Sequence, residues 1–233
     1  MNKQSNLYTI IYIIVIVLVV GTALAVTSLS LRGRQQTNAD ADKMRQILAS
    51  ARITAQDGDV VSVFNESITA QPVYNSRGEQ IGDDAFTIDV AAESRMPEAE
   101  RSLPVFVCQT PAGTKYIIPL YGAGLWGPIW GYMAFDADGS TIYGAFFAHQ
   151  GETPGLGAEI EKPAFSGQFT GKQMFKDSRF MPVTVVKKGQ KPSGDEDYVD
   201  GISGGTITSK GVAAMIDNCL VPYQAFLKNL NKD

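Results

Sequence analysis

The chain has 233 residues, which is enough for one sizeable domain and an appendage, and 44% of them are hydrophobic. Acidic residues outnumber basic ones by 24 to 20, and the lack of a basic block argues against a nucleic-acid partner. His149 is the single histidine, which excludes a metal site built on several imidazole ligands.

The first predicted element is a membrane-spanning helix over residues 1–31. No charge occurs from Tyr8 to Val26, and the apolar character continues to Leu31. About 20 mostly apolar residues are enough to cross a bilayer core. A cleaved signal peptide is the alternative, with Ala23-Leu24-Ala25 as its cleavage site, but the apolar stretch is longer than the ~7–15 residues usual for that class. We therefore expect a retained anchor.

The charges on either side of this helix leave its orientation open. Lys3 precedes the helix, whereas four basic residues follow it, namely Arg32, Arg34, Lys43 and Arg45. By the positive-inside rule, this distribution weakly favours a C-terminal side that stays in the cytoplasm.

Residues 32–51 are predicted to form a linker and a short helix. The segment from Arg32 to Asp42 is polar, and Asn38 or Asp40 is a candidate N-cap. The apolar face of the short helix would carry Met44, Ile47, Leu48 and Ala51.

Residues 52–233 are predicted to form a single α+β domain with antiparallel strands. Aromatic and β-branched residues concentrate in two hairpins, which pair 103–109 with 115–121 and 130–136 with 140–148. A short helix is expected after residues 152–160, and another strand over 182–189. The 3-and-4 spacing of apolar residues from Val212 to Leu230 predicts a long C-terminal helix with a kink at Pro222.

The two cysteines lie in different predicted elements. Cys108 belongs to a strand and Cys219 to the apolar stripe of the C-terminal helix, so we interpret both as buried structural thiols. The spacing leaves the alternative of a disulfide open.

Two short motifs suggest chemistry that their context does not support. Gly122–Gly127 matches GxGxxG, but Pro128 and another strand-like run follow it where a dinucleotide site needs a helix. We interpret it as a glycine-rich turn. Gly201–Gly205 matches GxSxG, yet His149 precedes Ser203, against the chain order of α/β-hydrolases. A serine hydrolase with Lys210 as its base is kept as an alternative.

The same glycine-rich loop runs directly into the C-terminal helix. Thr208 or Ser209 is a candidate N-cap, and Gly204 and Gly205 allow close approach of the backbone to a ligand. Helix N-termini favour phosphate groups, so the loop predicts either a phosphate-bearing ligand or a plain cap.

The segment Asp200–Thr206 (DGISGGT) resembles the Asp-x-x-Ser/Thr-Gly-Ala-Thr motif at which a flavin transferase attaches FMN to a threonine. Together with GLWGPIWGYMAF (124–135) and GETPGLGAEI (151–160), it resembles the NqrC family of the Na⁺-translocating NADH:quinone oxidoreductases (Nqr). The RnfG family of the related Rnf complexes is a close second. Gly205 departs from the motif, which usually has Ala, and the change is small.

The resemblance implies a role for several residues. Thr206 would carry FMN through a phosphoester, and the transferase would recognise Asp200 and Ser203. Leu125 and Trp126 would pack near the isoalloxazine ring. The remaining expected FMN-binding residues are Ser203, Gly204, Gly205, Thr208, Glu152, Thr153, Leu156 and Gly157. No catalytic residue and no metal ligand is expected.

The resemblance also implies a cellular setting. The chain would be a single-pass protein of the bacterial inner membrane with a periplasmic domain, against the weak preference of the charges. Its partners would be the flavin transferase during maturation and the other membrane subunits of the complex, in which it would relay electrons toward ubiquinone. A non-respiratory FMN sensor module is a further alternative.

Overall fold

The computed structural model describes residues 6–56 and 58–230, and the chain divides into two units between Lys43 and Met44. Within the described residues, α1 (Asn6–Ser50) is the one helix that is long and apolar enough to cross a membrane, a test that a signal sequence also passes. The first five residues of the predicted anchor and the last three of the predicted domain lie outside the described residues.

The predicted polar linker at 32–42 is wrong, because α1 continues through it without interruption. Asn38 and Asp40 are therefore interior helical residues and not caps. Arg, Gln and Ala are good helix formers, no proline occurs, and Gly33 alone costs only about 1 kcal/mol. Polarity was mistaken for a break in the helix.

The second unit is α+β, as predicted, with mostly antiparallel strands. Its further helices are α2 (Val60–Ser67), α3 (Val90–Glu93), α4 (Pro163–Ser166), α5 (Thr206–Leu220) and α6 (Gln224–Leu230). Its strands are β1 (Ile68–Ala70), β2 (Val73–Tyr74), β3 (Gln80–Gly82), β4 (Leu103–Pro104), β5 (Phe106–Thr110), β6 (Gly113–Ala123), β7 (Pro128–Phe135), β8 (Ile142–His149), β9 (Phe175–Lys176), β10 (Arg179–Phe180), β11 (Thr184–Val186) and β12 (Tyr198–Asp200).

The main sheet is antiparallel in the order β1-β5-β6-β7-β8, and it contains both predicted hairpins. The GxGxxG segment closes the hairpin between β6 and β7, where the N–H of Gly124 donates to the carbonyl of Gly127 at 2.8 Å. No helix starts there, so a dinucleotide site is excluded. The turn places Leu125 and Trp126 at the end of the sheet.

Both faces of the main sheet are covered. Consecutive strand residues point to opposite faces, and accordingly Ile118 belongs to the same buried cluster as Met215 and Ile216 of α5, whereas Ile117 belongs to the cluster of Leu48 and Phe64. The sheet therefore has one core under α5 and α6 and another under α2 and the end of α1. Cys108 and Cys219 are buried free thiols in these two cores.

The C-terminal helix is interrupted where the proline predicted a kink. Pro222 lies in a 3₁₀ turn (Val221–Tyr223) between α5 and α6, and the hydroxyl of Tyr223 donates to the carbonyl of Pro104 at 2.9 Å. At its other end α5 begins at Thr206, with Gly205 as the N-cap. The predicted caps Thr208 and Ser209 are thus wrong, because both lie inside the first turn.

The region before α5 differs most from expectation. The strand predicted over 182–189 is limited to β11, because the chain turns at Gly189, whose φ is +80°. β11 pairs with β12 in parallel, with Val186 opposite Asp200. This pairing brings the residues after β11 beside the DGISGGT loop, a proximity that local sequence patterns do not encode.

Candidate functional site

The four hydroxyl residues of the loop are in two different environments. Ser203 and Thr206 are exposed, whereas Thr208 and Ser209 are buried, with 1% and 6% of their surfaces accessible. The hydroxyl of Thr208 donates to Glu152 Oε2 at 2.5 Å, and Ser209 Oγ accepts from the N–H of Ile202 at 2.9 Å. Two hydroxyls in this loop therefore face solvent, and two hold the structure together.

Thr206 is the first residue of a 15-residue helix. The carbonyl of Gly205 accepts from the N–H of Ser209 at 2.9 Å, which closes the first helical turn. The N–H groups of a first turn have no intrahelical acceptor, and Gly205 contributes no side chain to cap them. The helix end beside Thr206 is therefore suited to an anion.

Glu152 links this helix to two other segments. The residue is 4% exposed, and its carboxylate accepts from the N–H of Trp126 at 2.8 Å as well as from Thr208. Its own N–H donates to His149 Nδ1 at 3.1 Å. We call this set of contacts the Glu152 clamp. It holds together parts of three segments whose resemblance to one family pointed to a shared site, namely 124–135, 151–160 and the loop from 200 into α5.

The clamp favours the charged form of its carboxyl group. Desolvation raises the pKa of Glu152, but the hydrogen bonds from the Thr208 hydroxyl and the Trp126 and Leu125 N–H groups, together with nearby His149, outweigh it and lower the pKa. Glu152 is thus an ionised acceptor inside the protein.

Glycines permit the close packing of these segments. A Cβ at Gly157 would fall on the Glu152 carboxylate and the Thr208 hydroxyl, and one at Gly204 would lie 2.6 Å from Leu156 Cδ2. A Cβ at Gly205 would lie 3.1 Å from both Cβ and Cγ2 of Ile202. The departure of Gly205 from the Ala of the resembling motif therefore has a local steric counterpart in Ile202.

Large apolar side chains are exposed on the clamped segments. They are Leu125, Trp126, Leu156 and Ile207, exposed by 47%, 70%, 42% and 57%, and we call them the apolar rim. Thr153 is exposed, and its carbonyl accepts from the N–H groups of Leu156 and Ala158 at 3.1 and 3.2 Å. Ile207 was not predicted, although its position next to Thr206 was a usable signal.

On another side of the loop lies a cavity of about 660 Å³ that Thr206, Ser203 and Gly204 help to line. Its lining also includes four lysines, namely Lys187, Lys188, Lys191 and Lys210, and we call it the lysine cavity. Leu125, Trp126, Glu152 and Leu156 do not line it. The cavity was not predicted, although KKGQK (187–191) is a local excess of positive charge in an acidic chain.

Asp200 is held by the protein through its backbone and its side chain. Its N–H donates to Gln168 Oε1 at 2.9 Å, and its carbonyl accepts from Gln168 Nε2 at 3.2 Å. Its Oδ1 accepts from the N–H of Gly189 at 3.3 Å. The carboxylate thus contacts the turn that carries three of the four lysines.

The geometry does not support a serine hydrolase that uses His149. The Nδ1 atom of His149 accepts from the backbone of Glu152, and Nε2 lies 3.6 Å from Glu161 Oε1. A nucleophile elbow strains the serine itself, whereas the positive φ of this loop falls on Gly204, at +79°. Ser203 and Lys210 line the same cavity, but the lysine is not held against the hydroxyl by a hydrogen bond among the described contacts.

Comparison with known proteins shows the family to which the chain belongs. Residues 124–221 match the model of the FMN-binding domain. The chain is 33% identical over 233 residues to the NqrC protein of the Na(+)-translocating NADH-quinone reductase of Vibrio anguillarum, covering 93% of this chain and 91% of the relative. It is 32% identical to the corresponding protein of Yersinia pestis, with coverage of 91% and 87%.

Solved structures give the same result. The fold is similar to the crystal structure of the NqrC protein of the Na(+)-translocating NADH-quinone reductase from Parabacteroides distasonis, with a TM-score of 0.79 and 50% identity. That similarity covers 84% of this chain and 96% of the other. The Shewanella oneidensis NqrC structure matches with a TM-score of 0.69 and 27% identity, covering 84% and 100%.

Proposed function

Since this chain belongs to the NqrC family of the Na(+)-translocating NADH-quinone reductases, we propose that it carries FMN as a phosphoester on Thr206 and relays electrons toward ubiquinone. The family supports an FMN-binding, electron-transfer component of a membrane enzyme complex. The covalent bond, the residue that carries it and the direction of transfer are our proposals. The chain has no catalysis of its own in this scheme.

The exposure of Thr206 is the observation that carries the proposal. Of the four hydroxyls in the loop, those of Thr208 and Ser209 are buried and hydrogen-bonded within the protein. Thr206 is exposed and begins α5, where unpaired N–H groups favour a phosphate. Ser203 is the other exposed hydroxyl, and it lies outside the helix. Thr206 is therefore the better attachment residue.

The surroundings of Thr206 fit the remainder of FMN. Gly204 is exposed and leaves its backbone accessible, whereas Gly205 is buried beside Ile202, and the apolar rim offers Leu125, Trp126 and Leu156 to a planar ring. Bound FMN would supply the electron transfer, and the protein would hold and orient it. Glu152, Thr153 and Gly157 would act mainly by fixing the segments that form the rim.

Attachment needs an activated FMN donor, a flavin phosphoanhydride, delivered by a flavin transferase. The Oγ of Thr206 forms a bond to phosphorus as the anhydride P–O bond breaks. The leaving phosphate departs with that bond's electron pair, and the hydroxyl proton passes to a base of the transferase. No residue beside Thr206 has to act as that base, because Thr206 is accessible from solvent.

The membrane setting is the second part of the proposal. The apolar part of α1 supports a retained anchor at residues 1–31, with the FMN-binding domain in the periplasm and the other subunits of the complex as partners. The NqrC relatives favour this complex over an Rnf complex or a sensor module. A reporter fused after Asp233 should be active outside the cytoplasm, and cytoplasmic fluorescence of such a fusion would contradict this topology.

Intact-mass analysis of membrane-derived protein tests the covalent bond. Wild-type protein should be heavier by one FMN residue and fluoresce in a denaturing gel. Thr206→Val keeps the shape of the side chain but removes the oxygen that would bond to phosphorus, so the label should be absent. Thr206→Ser should retain it.

Ser203→Ala is the matched control, because it removes the other exposed hydroxyl of the same loop. It should keep at least part of the label, because Ser203 would help recognition by the transferase without bonding to phosphorus. Full labelling of Thr206→Val would contradict the assignment, and an unchanged mass of wild-type protein from its own host would contradict covalent attachment altogether. Co-purification with other membrane redox subunits distinguishes a relay from a sensor.

A further inference from the structure

The lysine cavity combines the proposed attachment residue with a cluster of positive charge. Thr206 and four lysines line it, and its lining contains no Asp or Glu. This is a one-sided composition in a chain that has more acidic than basic residues. None of the four ammonium groups forms an ion pair within residues 6–56 and 58–230. The cavity is therefore suited to an anion.

Lys210 lies one helical turn after Thr206 on α5. Side chains four residues apart are neighbours on a helix surface, with Cβ atoms about 5–6 Å apart. Both residues are exposed and both line the cavity. An anion bonded to Thr206 Oγ is thus within reach of the flexible Lys210 ammonium group.

Lys187 approaches from β11. Val186 accepts from the N–H of Gly201 at 2.7 Å, so the strand is fixed against the start of the DGISGGT loop immediately before Lys187. The carbonyl of Lys187 accepts from the N–H of Gln190 at 2.9 Å, which closes a turn. Asp200 Oδ1 holds the same turn through the N–H of Gly189.

We propose that the lysine cavity holds the phosphate of the attached FMN, with Lys210 and Lys187 as its counter-charges and Asp200 as the residue that positions the lysine-bearing turn. The assignment rests on the proposed function. A phosphodiester on Thr206 carries one negative charge and unesterified oxygens that accept hydrogen bonds from ammonium groups. The N-terminus of α5 favours the same charge.

Lysine acetylation measured on wild-type protein tests this arrangement without an activity assay. Labelled protein is produced with the flavin transferase and unlabelled protein without it, and intact mass verifies each form. Both are treated briefly with acetic anhydride at neutral pH, and acetylation at each lysine is followed by peptide mass spectrometry. Lys210 and Lys187 should react roughly 2- to 5-fold more slowly in the labelled form, as expected for an ion pair near the surface.

Lys228 and Lys162 are the internal controls, because both are exposed and neither lines the cavity. Their rates should be the same in the two forms. Equal rates at Lys210 and Lys187 in fully labelled and unlabelled protein would overturn this inference and leave the attachment at Thr206 intact. An absence of the added mass would instead defeat the proposed function.

The role of Asp200 is tested by a conservative substitution. Asp200→Asn keeps an oxygen that accepts from Gly189, so the protection of Lys187 should persist in the protein that intact mass shows to be labelled, whatever the extent of labelling. In labelled Asp200→Ala protein, Lys187 should lose its protection while Lys210 keeps it. Equal protection of Lys187 in labelled Asp200→Ala and labelled wild-type protein would overturn the positioning role.

Discussion

The loop that carries Thr206 makes buried side-chain hydrogen bonds on one side and more exposed contacts on the other. Toward the hairpin turn at 124–127, the buried Glu152 carboxylate bonds directly to Thr208 and to the backbone of Trp126. Toward β11, the backbone is fixed by the 2.7 Å bond from the Gly201 N–H to Val186, but the lysine-bearing turn beyond it is held to half-buried Asp200 by a 3.3 Å bond from Gly189, and the side chains around it are exposed lysines.

One side of the loop is rigid because its polar groups are buried and hydrogen-bonded, whereas the other side carries exposed positive charge. The clamped side has no freedom to move without leaving a buried carboxylate short of donors, which is costly. The lysine side can rearrange its long side chains at little cost, because none of them is fixed by an ion pair among the described residues. Substitutions on the clamped side should therefore change stability, and those on the lysine side should change the response to an anion.

The largest effect is expected from Gly157→Ala. The new Cβ would collide with the Glu152 carboxylate and the Thr208 hydroxyl, and Gly157 is buried, so the clamp has to open. We expect the free energy of unfolding to fall by about 3 kcal/mol, measured by urea denaturation of the unlabelled protein. Gly151→Ala is the control from the same loop, since a Cβ there meets nothing within 4 Å. Similar losses in both variants would show that the loop and not the clamp is sensitive.

Glu152→Gln should have the next largest effect. The amide keeps the size of the side chain but replaces one acceptor oxygen by a donor, so an N–H or hydroxyl of the clamp loses its partner. A decrease of about 1–2 kcal/mol in the free energy of unfolding is expected. Glu159→Gln changes a carboxylate with a 3.2 Å bond to the exposed Gly155 N–H and should have little effect. Equal stability of Glu152→Gln and wild type would show that the clamp contributes nothing to the fold.

The free energy of unfolding of wild type should exceed that of Glu152→Gln by an amount that decreases as the pH falls. The clamp lowers the pKa of Glu152 below the value of about 4.3 expected in the unfolded chain. The stabilisation is therefore complete above the unfolded value and is lost as the pH falls through the folded one. The difference in unfolding free energy between wild type and Glu152→Gln should shrink from about pH 6 to about pH 3. A difference that grew on acidification would mean that burial outweighs hydrogen bonding and raises the pKa of this carboxyl group.

The smallest effects on stability belong to the exposed side chains. Trp126→Ala and Lys187→Gln should each change the free energy of unfolding of unlabelled protein by less than about 0.5 kcal/mol, because little of either side chain is buried. The two should differ once FMN is attached. Trp126→Ala should change the flavin fluorescence yield. Lys187→Gln should mainly change how that yield depends on salt concentration. Identical spectra for wild-type and Trp126→Ala protein would place the ring away from the apolar rim.

Elements with strong local patterns were predictable from the sequence. The two hairpins and the interruption at Pro222 follow from alternation and from proline chemistry, and both are present. The short helix before residue 51 was predicted, but the continuation of α1 through 32–42 was missed because polar residues can continue a helix when no proline or cap signal stops them. Thr208 and Ser209 were mistaken for caps because the sequence alone does not distinguish a threonine or serine that caps a helix from one that is buried in its first turn.

The candidate site was predictable in its members but not in its contacts. The motifs at 124–135, 151–160 and 200–206 were related by resemblance, yet no periodicity could show that Glu152 bonds to Thr208 across 56 positions. The parallel pairing of β11 with β12 is likewise nonlocal, and it is what brings Lys187 to the same cavity as Lys210. Exposure, which separates Thr206 from Thr208, becomes visible only in three dimensions.

The contact between Ile202 and Gly205 has an evolutionary consequence. The φ of Gly205 is −104°, which any residue can adopt, so sterics and not backbone conformation disfavour alanine there. Both the Cβ and the Cγ2 of Ile202 would crowd the new methyl group. A leucine at 202 moves the branch one carbon outward and removes one of three close contacts, since the N atom of Gly157 would also lie 3.2 Å from the new methyl group. Sequence drift at the two positions should therefore be epistatic, with the alanine tolerated more readily after Ile202 has changed than before.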